Sequence, residues 1–201
     1  MNALPPQPQT NLEQPLVLIV TGPPASGKTT IGRPLALALS LPFLSKDLFK
    51  ESLFDSLGSM DREWSRNIGL ASTRLLFRCA EALLEAGQSC ALESNFYPQW
   101  DTAPLRELQT RFGCRFVQVV CSAETAVLVE RFTRRARSGE RHPGHADGSA
   151  LDELIPRIVN ERWDALHLDG PVIQVDTTKD VVDIQQLIRN IRQLVDQHVA
   201  G

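Results

Sequence analysis

The feature that most constrains this chain is the octapeptide at residues 22–29, which reads Gly-Pro-Pro-Ala-Ser-Gly-Lys-Thr. It matches the phosphate-binding loop pattern G-x-x-x-x-G-K-[ST] at every fixed position. A short apolar run at residues 16–20 precedes it, as expected of a buried parallel strand. Residues 31–40 follow with the apolar spacing of a helix that buries one face. Because strand, glycine loop and helix occur in this order, the sequence predicts a nucleotide-binding site rather than a chance match in a turn.

The pattern has a physical basis in its glycines and its last polar positions. Gly22 and Gly27 allow a close backbone approach, so that N–H groups can point at phosphate oxygens beside the positive end of the helix. Lys28 is expected to reach the β- and γ-phosphates, and the Thr29 hydroxyl is expected to bind Mg²⁺. The residues predicted to bind the nucleotide in this loop are Gly22, Pro23, Pro24, Ala25, Ser26, Gly27, Lys28, Thr29 and Thr30.

Composition limits the classes of protein to which this chain can belong. Its 201 residues, 42% hydrophobic and 22% charged, suffice for one domain with a sizeable core, with or without an inserted lid. The formal net charge of −3 argues against a surface built for nucleic acid or an anionic membrane. No stretch has the length of a membrane span and no apolar signal core is present, so we expect a cytoplasmic protein. We expect a monomer or a weak homodimer, with residues 1–14 as a disordered leader.

The order of predicted elements alternates strand and helix over residues 15–201, which predicts one α/β domain with a parallel sheet covered on both faces. Strands are predicted at 16–20, 42–45, 89–92, 115–121 and 171–175. Helices are predicted at 31–40, 48–57, 63–86, 98–112, 123–137, 151–166 and 181–199. The four cysteines lack metal-binding spacing: Cys79, Cys90, Cys114 and Cys121. Cys90, Cys114 and Cys121 lie in or beside apolar runs, which favours buried free thiols.

Asp47 is the sharpest candidate for chemistry outside the loop. Ligands of open α/β sheets lie at the carboxyl ends of the strands, and Asp47 follows the second predicted strand at that edge. Its carboxylate can accept a proton from an acceptor hydroxyl as the γ-phosphate is transferred. An Asp at this position could also serve as a helix N-cap, and the two roles are compatible.

Further polar residues follow other strand ends or precede the long helix. Glu93 and Asn95 follow the third strand and are predicted to bind the acceptor. Glu93 could instead hold Mg²⁺ through water, and a strand that simply ends in solvent is the other alternative. Trp64 and Arg66 could line the acceptor pocket, or be a packing Trp and a surface Arg. Thr177 follows the fifth strand and is expected near the adenine, with a helix-capping turn as the alternative.

Five arginines lead into a polar segment containing Gly and Pro at residues 137–149, which we predict to be a lid. Arginines clamp polyphosphate and offset charge in a transition state, so Arg134 and Arg137 are expected to be catalytic. Arg131 and Arg141 are expected to bind the nucleotide. Helical spacing means that the five arginines cannot all face one ligand, and some of them are expected to lie on a solvent-exposed face of the helix. The fifth is Arg135.

The phosphate loop, Asp47 and the region 131–145 together resemble the small P-loop kinases of the AAA_33-like group, which is similar to gluconate kinase, chloramphenicol phosphotransferase, zeta toxins and the kinase domain of polynucleotide kinase. The resemblance covers nearly all of the chain after Gln14. It implies a P-loop NTPase fold with strand order 2-3-1-4-5, ATP with Mg²⁺ as cofactors, and an Asp that acts on an acceptor hydroxyl. The long helix at 63–86 and the stretch 93–96 do not match gluconate kinase closely.

The function expected from this resemblance is an ATP-dependent kinase that phosphorylates a hydroxyl of a small molecule. A nucleotide, an RNA end or a sugar-nucleotide is the alternative acceptor. A regulatory nucleotide-binding NTPase without an acceptor of its own is the alternative from another class. No acidic residue after a run of four apolar residues resembles that of motor ATPases, which leaves a second magnesium ligand unassigned.

Overall fold

The computed structural model describes residues 14–139, 141–145, 151–179 and 181–197. Within these residues the chain forms five strands and seven α-helices. In chain order they are β1 (Leu16–Thr21), α1 (Lys28–Ala38), β2 (Phe43–Ser45), α2 (Lys46–Leu57), α3 (Arg62–Glu85), β3 (Cys90–Glu93), α4 (Pro98–Phe112), β4 (Arg115–Ser122), α5 (Thr125–Ser138), α6 (Leu151–Asn160), β5 (Val172–Asp176) and α7 (Ile184–Gln197).

The strands form one parallel sheet in the order β2-β3-β1-β4-β5. The parallel α/β fold is the one that the sequence predicted, and the strand order is the one that the resemblance implied. β1 lies in the centre, with Ile19 opposite Leu92 of β3 on one side and Gln118 of β4 on the other. Because the phosphate loop follows β1, the sheet places that loop in the middle of its carboxyl edge.

Alternate residues of β1 pack into different layers, since successive side chains of a strand point to opposite faces. Leu18 and Val20 belong to the layer that contains α1 and α7. Val17 and Ile19 belong to the layer that contains α3 and α4. All six residues of β1 are buried, which explains its continuous apolar sequence.

Several boundaries differ from those predicted. α6 ends at Asn160 rather than at residue 166, because Leu166 is buried and held by the Gln118 side chain, which bonds both its backbone N–H and its C=O. α2 begins at Lys46, directly after β2, with Ser45 at the N-cap. Asp47 therefore lies in the first turn of α2, and its alternative role as the N-cap is wrong.

Other predictions concern the cysteines and the chain ends. Cys90, Cys114 and Cys121 are buried and all four cysteines are free, as predicted. None of the helices in the described ranges is long and apolar enough to span a membrane. Of the predicted leader, residues 1–13 lie outside the described residues, as do residues 140 and 146–149 of the predicted lid.

Candidate active site

The phosphate loop has a backbone that its glycines make possible. Gly22 has a φ of 140°, and a Cβ there would lie 2.1 Å from the carbonyl oxygen of Cys121. Gly27 has a φ of 77° and directly precedes α1. Ala25 also has a positive φ, 63°, which is strained for a residue with a side chain and is found preferentially at functional sites. The pattern therefore specifies a turn that few other sequences could adopt.

Lys28 is folded back over this loop. Its Nζ donates a hydrogen bond to the carbonyl oxygen of Pro23 at 2.7 Å, and the residue is buried. Burial lowers the pKa of Lys28, while Glu93 and Asp47 oppose this shift. A buried ammonium with one neutral hydrogen-bond partner is poorly compensated, so an anion placed at the loop would stabilise it.

A cleft of about 1000 Å³ runs along the carboxyl edge of the sheet beside the loop. Most of the site residues predicted from the sequence line it: Pro24, Ala25, Gly27, Lys28, Thr29, Thr30, Asp47, Glu93, Asn95, Arg131, Arg134, Arg141 and Thr177. Residues that follow the carboxyl ends of β1, β2, β3 and β5 thus line one cavity.

The remaining predicted site residues lie outside the cleft lining within the described part of the chain. Gly22, Pro23 and Ser26 are buried within the loop. The indole N–H of Trp64 donates a hydrogen bond to the carbonyl oxygen of Gly58. Arg66 is exposed and forms an ion pair with Glu153. Arg137 is exposed on α5. The sequence could not distinguish the faces of α3 and α5 that turn toward the cleft from those that turn away.

Asp47 is the centre of a cluster of cations. Its carboxylate pairs with Arg141, and about half of its side chain remains exposed. Burial alone would raise the pKa of Asp47, but Arg141, His145, Lys28 and Lys46 lower it to about 2. Asp47 is therefore ionised throughout the neutral range, and it interacts with cations of the phosphate loop and of α2 alike.

Glu93 lies deeper, at the end of β3. It is 4% exposed, and its carboxylate accepts a hydrogen bond from the Ser45 hydroxyl at 2.5 Å. Burial raises the pKa of Glu93, while Lys28 and the Ser45 hydroxyl oppose that shift. Asn95 lines the cleft two residues further on. The strand end thus carries oxygen groups toward the phosphate loop instead of ending in solvent.

The arginines of α5 have different surroundings. Arg131 donates to the carbonyl oxygen of Thr177 at 2.8 Å, which fixes α5 to the end of β5. Arg134 is exposed and lies 3.3 Å from Glu130, one helical turn away. Arg135 packs over the ring of Phe132 and lines the cleft. The sequence did not single out Arg135 as a site residue, because helical spacing alone does not show which side of α5 faces the loop.

The segment at residues 141–145 packs on α2. The ring of His142 stacks on Phe54 with centroids 5.6 Å apart, and His145 forms a hydrogen bond of 2.9 Å with Glu51. Gly144 lies so close to Phe54 that a Cβ would come within 2.3 Å of its ring. With Arg141 on Asp47, this segment closes the cleft from the side of α2.

Sequence reasoning left out a group of cleft residues on the side of β2 and β3: Lys46, Lys50, Arg62, Tyr97, Arg157 and Trp163. Arg157 donates to the Tyr97 hydroxyl at 2.7 Å and lies over its ring at 5.3 Å. Tyr97 and Trp163 pack with centroids 5.1 Å apart. The sequence carries a signal for this wall in three aromatic residues that follow the third strand, Phe96, Tyr97 and Trp100.

Comparisons with known proteins agree with this architecture. The family model described as AAA domain (AAA_33) matches residues 17–158. Shikimate kinase 2 of Escherichia coli O1:K1 / APEC is 28% identical over 194 residues, which cover 94% of this chain and 99% of that protein. A candidate kinase of known structure from Chloroflexus aurantiacus J-10-fl is 39% identical with a TM-score of 0.81, over 90% of this chain and 98% of that one. Kti12 of Chaetomium thermophilum, in complex with ADP-AlF3, is 20% identical with a TM-score of 0.60, over 90% and 99%, a likeness in fold alone.

Proposed function

Because the chain belongs to the AAA_33 family and is a small P-loop kinase of that group, we propose that it transfers the γ-phosphate of ATP to a hydroxyl of a small-molecule acceptor. The observation that carries this proposal is that Lys28 and Asp47 open into one cleft from two strand ends of the same sheet edge. A phosphate-binding cation and a carboxylate in one cavity are what transfer between a nucleotide and a hydroxyl requires.

The sheet order divides the cleft into two halves. The phosphate loop lies in the middle, and Thr177, Lys179, Val182 and Ile184 line the side of β5. These residues offer apolar contacts and a hydroxyl to the base and ribose. Asp47 and Asn95 lie on the side of β2 and β3, where the acceptor would bind. The reacting oxygen would then face the γ-phosphate across the loop.

The residues beside the loop suit Mg²⁺ bound together with phosphates. Thr29 is exposed, lines the cleft and presents a hard oxygen ligand next to Lys28. Among the described residues no group of three His, Cys, Asp or Glu could hold a metal ion by itself, which fits an ion that takes few ligands from the protein and the rest from phosphates and water. When bound there, Mg²⁺ would neutralise charge on the phosphates, and Thr29 would hold it.

Asp47 orients the acceptor in this proposal. A carboxyl with a pKa of about 2 is too weak a base to deprotonate an alcohol before the reaction begins. In a loose transition state for phosphoryl transfer the hydroxyl proton leaves late, so Asp47 needs only to hold the hydroxyl in line and accept its proton as the bond forms. Arg131, Arg135 and Arg141 would offset phosphate charge from the side of α5 and the 141–145 segment.

The proposal is tested by a screen of ATP consumption against hydroxyl-bearing metabolites, nucleosides, sugar-nucleotides and 5′-hydroxyl oligonucleotides. We expect one class of small acceptor to increase ADP formation, with a phosphorylated product detectable by mass spectrometry. The matched inactive control is Lys28→Met, which removes the phosphate contact. ATP hydrolysis that no acceptor accelerates would instead favour a regulatory NTPase, and a response confined to oligonucleotides would favour an RNA end.

A further inference from the structure

The chain uses lysine in one place only. Its 21 cationic Lys and Arg residues include four lysines, and all four line the cleft: Lys28, Lys46, Lys50 and Lys179. The cations on the rest of the surface are arginines. A lysine ammonium is a compact charge on a flexible stem and is suited to binding a ligand's anionic group as a point charge. Lys28 and Lys179 line the nucleotide half, which leaves Lys46 and Lys50 to explain.

Lys46 and Lys50 lie one turn apart on α2 and repel each other. Lys50 has neutral partners, the Ser65 hydroxyl at 3.0 Å and the ring of Phe54 at 5.5 Å. In the described part of the chain, neither lysine forms an ion pair with a carboxylate. Asp47 acts favourably on the charges of both lysines, as Asp101 does on that of Lys46, but Asp47 is already paired with Arg141. The acceptor half therefore holds an excess of positive charge.

This excess differs from that at the phosphate loop. The charges that act on Lys28 are those of Glu93, Asp47 and Arg135. Those that act on Lys50 are Asp47, Lys46, Arg141 and Arg62. Asp47 is common to both sets, but the cations that act on Lys28 and those that act on Lys50 are different residues. A nucleotide bound at the loop would neutralise the first group and leave the second uncompensated.

We propose that Lys46 and Lys50 form a subsite for an anionic group of the acceptor, a carboxylate or a phosphate, which fixes the acceptor while Asp47 holds its hydroxyl. This inference rests on the proposed kinase function. Tyr97 and Trp163 form the adjacent wall of the subsite and Arg157 braces it, so the body of the acceptor packs on aromatic rings. The substrate class is then an acid or a phosphate ester that bears a free hydroxyl.

The lysine count makes a direct test possible, because protein labelled with ¹³C-lysine gives four side-chain signals. The Lys46 and Lys50 signals are assigned from Lys46→Arg and Lys50→Arg, each of which removes one signal and keeps the charge, and the Lys28 signal is assigned from Lys28→Met. The protein is saturated with Mg²⁺ and the non-hydrolysable analogue AMPPNP, so that the loop is filled. Inorganic phosphate and acetate are then titrated in separate arms.

We expect saturable shifts of the Lys46 and Lys50 signals, in the phosphate arm for a phosphate ester and in the acetate arm for a carboxylate. Lys46→Gln and Lys50→Gln should weaken that binding about 10-fold or more, the scale of losing a hydrogen bond to a charged group. Arg74→Gln, an equal change of charge on an exposed part of α3, should not. The melting temperature of each variant establishes that it is folded.

Two failures can be told apart. If AMPPNP shifts the Lys28 signal but neither anion shifts those of Lys46 and Lys50, the subsite is overturned and the kinase proposal stands. The same holds if glycerol and ribose are phosphorylated as fast as glycerol 3-phosphate and ribose 5-phosphate. If AMPPNP leaves Lys28 unaffected, the proposed function itself fails.

Discussion

At the scale of single residues, the proposed reaction depends on the carboxylate of Asp47, which forms an ion pair with Arg141. We predict that Asp47→Asn, which keeps the size of the side chain, lowers phosphoryl transfer about 10²-fold or more, the usual scale for the loss of a catalytic acid or base. The affinity for AMPPNP should stay near that of the parent protein, because Asp47 does not belong to the phosphate loop. Single-turnover transfer and AMPPNP titration measure the two quantities. Equal transfer rates in both proteins would contradict the role of Asp47.

Lys50 gives a prediction about pH and stability. Burial, together with Lys46, Arg141 and Arg62, lowers the pKa of Lys50 to about 8 although Asp47 opposes the shift, whereas an unfolded lysine has a pKa of about 10.4. Between these values the unfolded chain holds the proton and the folded chain does not, so this group makes the free energy of unfolding rise with pH. Below pH 8 the charged Lys50 is a cost to the fold.

Replacing Lys50 by Met removes that cost. We expect Lys50→Met to raise the urea midpoint relative to the parent at pH 7, and this difference to be smaller at pH 10. The buried cysteines titrate in both proteins, so their contribution cancels in the comparison. Arg74→Met should show a difference that does not change with pH. A pH-independent difference for Lys50→Met would mean that the pKa of Lys50 is not lowered.

How much of the site the sequence could predict depends on how local each feature is. Gly22, Gly27 and Lys28 belong to one continuous loop whose spacing is fixed by the phosphates it binds, so the pattern is sufficient. Asp47 was found because the carboxyl end of a strand is a position on the sheet edge. Lys46 and Arg157 come from separate elements, and only the packing of α2 and α6 against the cleft shows that they face it.

At the scale of elements, the segment at residues 141–145 depends on one close contact with α2. Gly144 has no room for a Cβ, since that atom would lie 2.3 Å from the Phe54 ring, and its carbonyl oxygen accepts a hydrogen bond from the buried Ser65 hydroxyl. Gly144→Ala should therefore push the segment off α2 and break the pairing of Arg141 with Asp47. We expect transfer to fall about 10-fold or more, the scale of one lost hydrogen bond between charged groups.

A second substitution distinguishes this displacement from general damage. Phe54→Leu makes room beside residue 144, so the double variant Gly144→Ala with Phe54→Leu should transfer faster than Gly144→Ala alone. Hydrogen exchange at residues 141–145 should be faster in Gly144→Ala and slower again in the double variant. If the double variant is no faster than the sum of the two single effects predicts, the two residues are not coupled.

The end of α6 is a second feature that the sequence could not predict, because it depends on a contact between distant elements. Its apolar spacing continues to residue 166, which predicted a longer helix, but the described helix ends at Asn160. The reason lies in β4, where the fully buried Gln118 pairs with both backbone groups of Leu166. A buried side-chain amide needs hydrogen-bond partners, and Gln118 finds them in the backbone of Leu166, which lies beyond the end of the helix. A contact over this distance in sequence leaves no periodic signal.

At the scale of the whole molecule, one sheet edge holds both halves of the cleft. The phosphate loop follows β1 in the centre, β4 and β5 lie on the side proposed to bind the nucleotide base, and β2 and β3 lie on the side proposed to bind the acceptor. Core layers pack against both faces of β1, so this edge is continuous with the core of the domain. Ligand binding at the loop should therefore stabilise the folded domain as a unit, and the melting temperature becomes a measure of occupancy.

We predict that AMPPNP with Mg²⁺, at about 100 times its dissociation constant, stabilises the protein by about 2.7 kcal/mol. For a domain of this size that corresponds to a rise in melting temperature of about 5–10 °C. Lys28→Met should lose more than half of this rise at the same concentration, because the phosphates lose their buried cation. Without ligand, its melting temperature should equal or exceed that of the parent, because burial disfavours the charge of Lys28 and lowers its pKa.

Two controls accompany this measurement. Arg74→Gln is the control variant with an intact loop. Adenosine is the control ligand without phosphates, and it should raise the melting temperature less than AMPPNP does. An equal rise with AMPPNP in Lys28→Met and the parent would mean that Lys28 does not bind the phosphates.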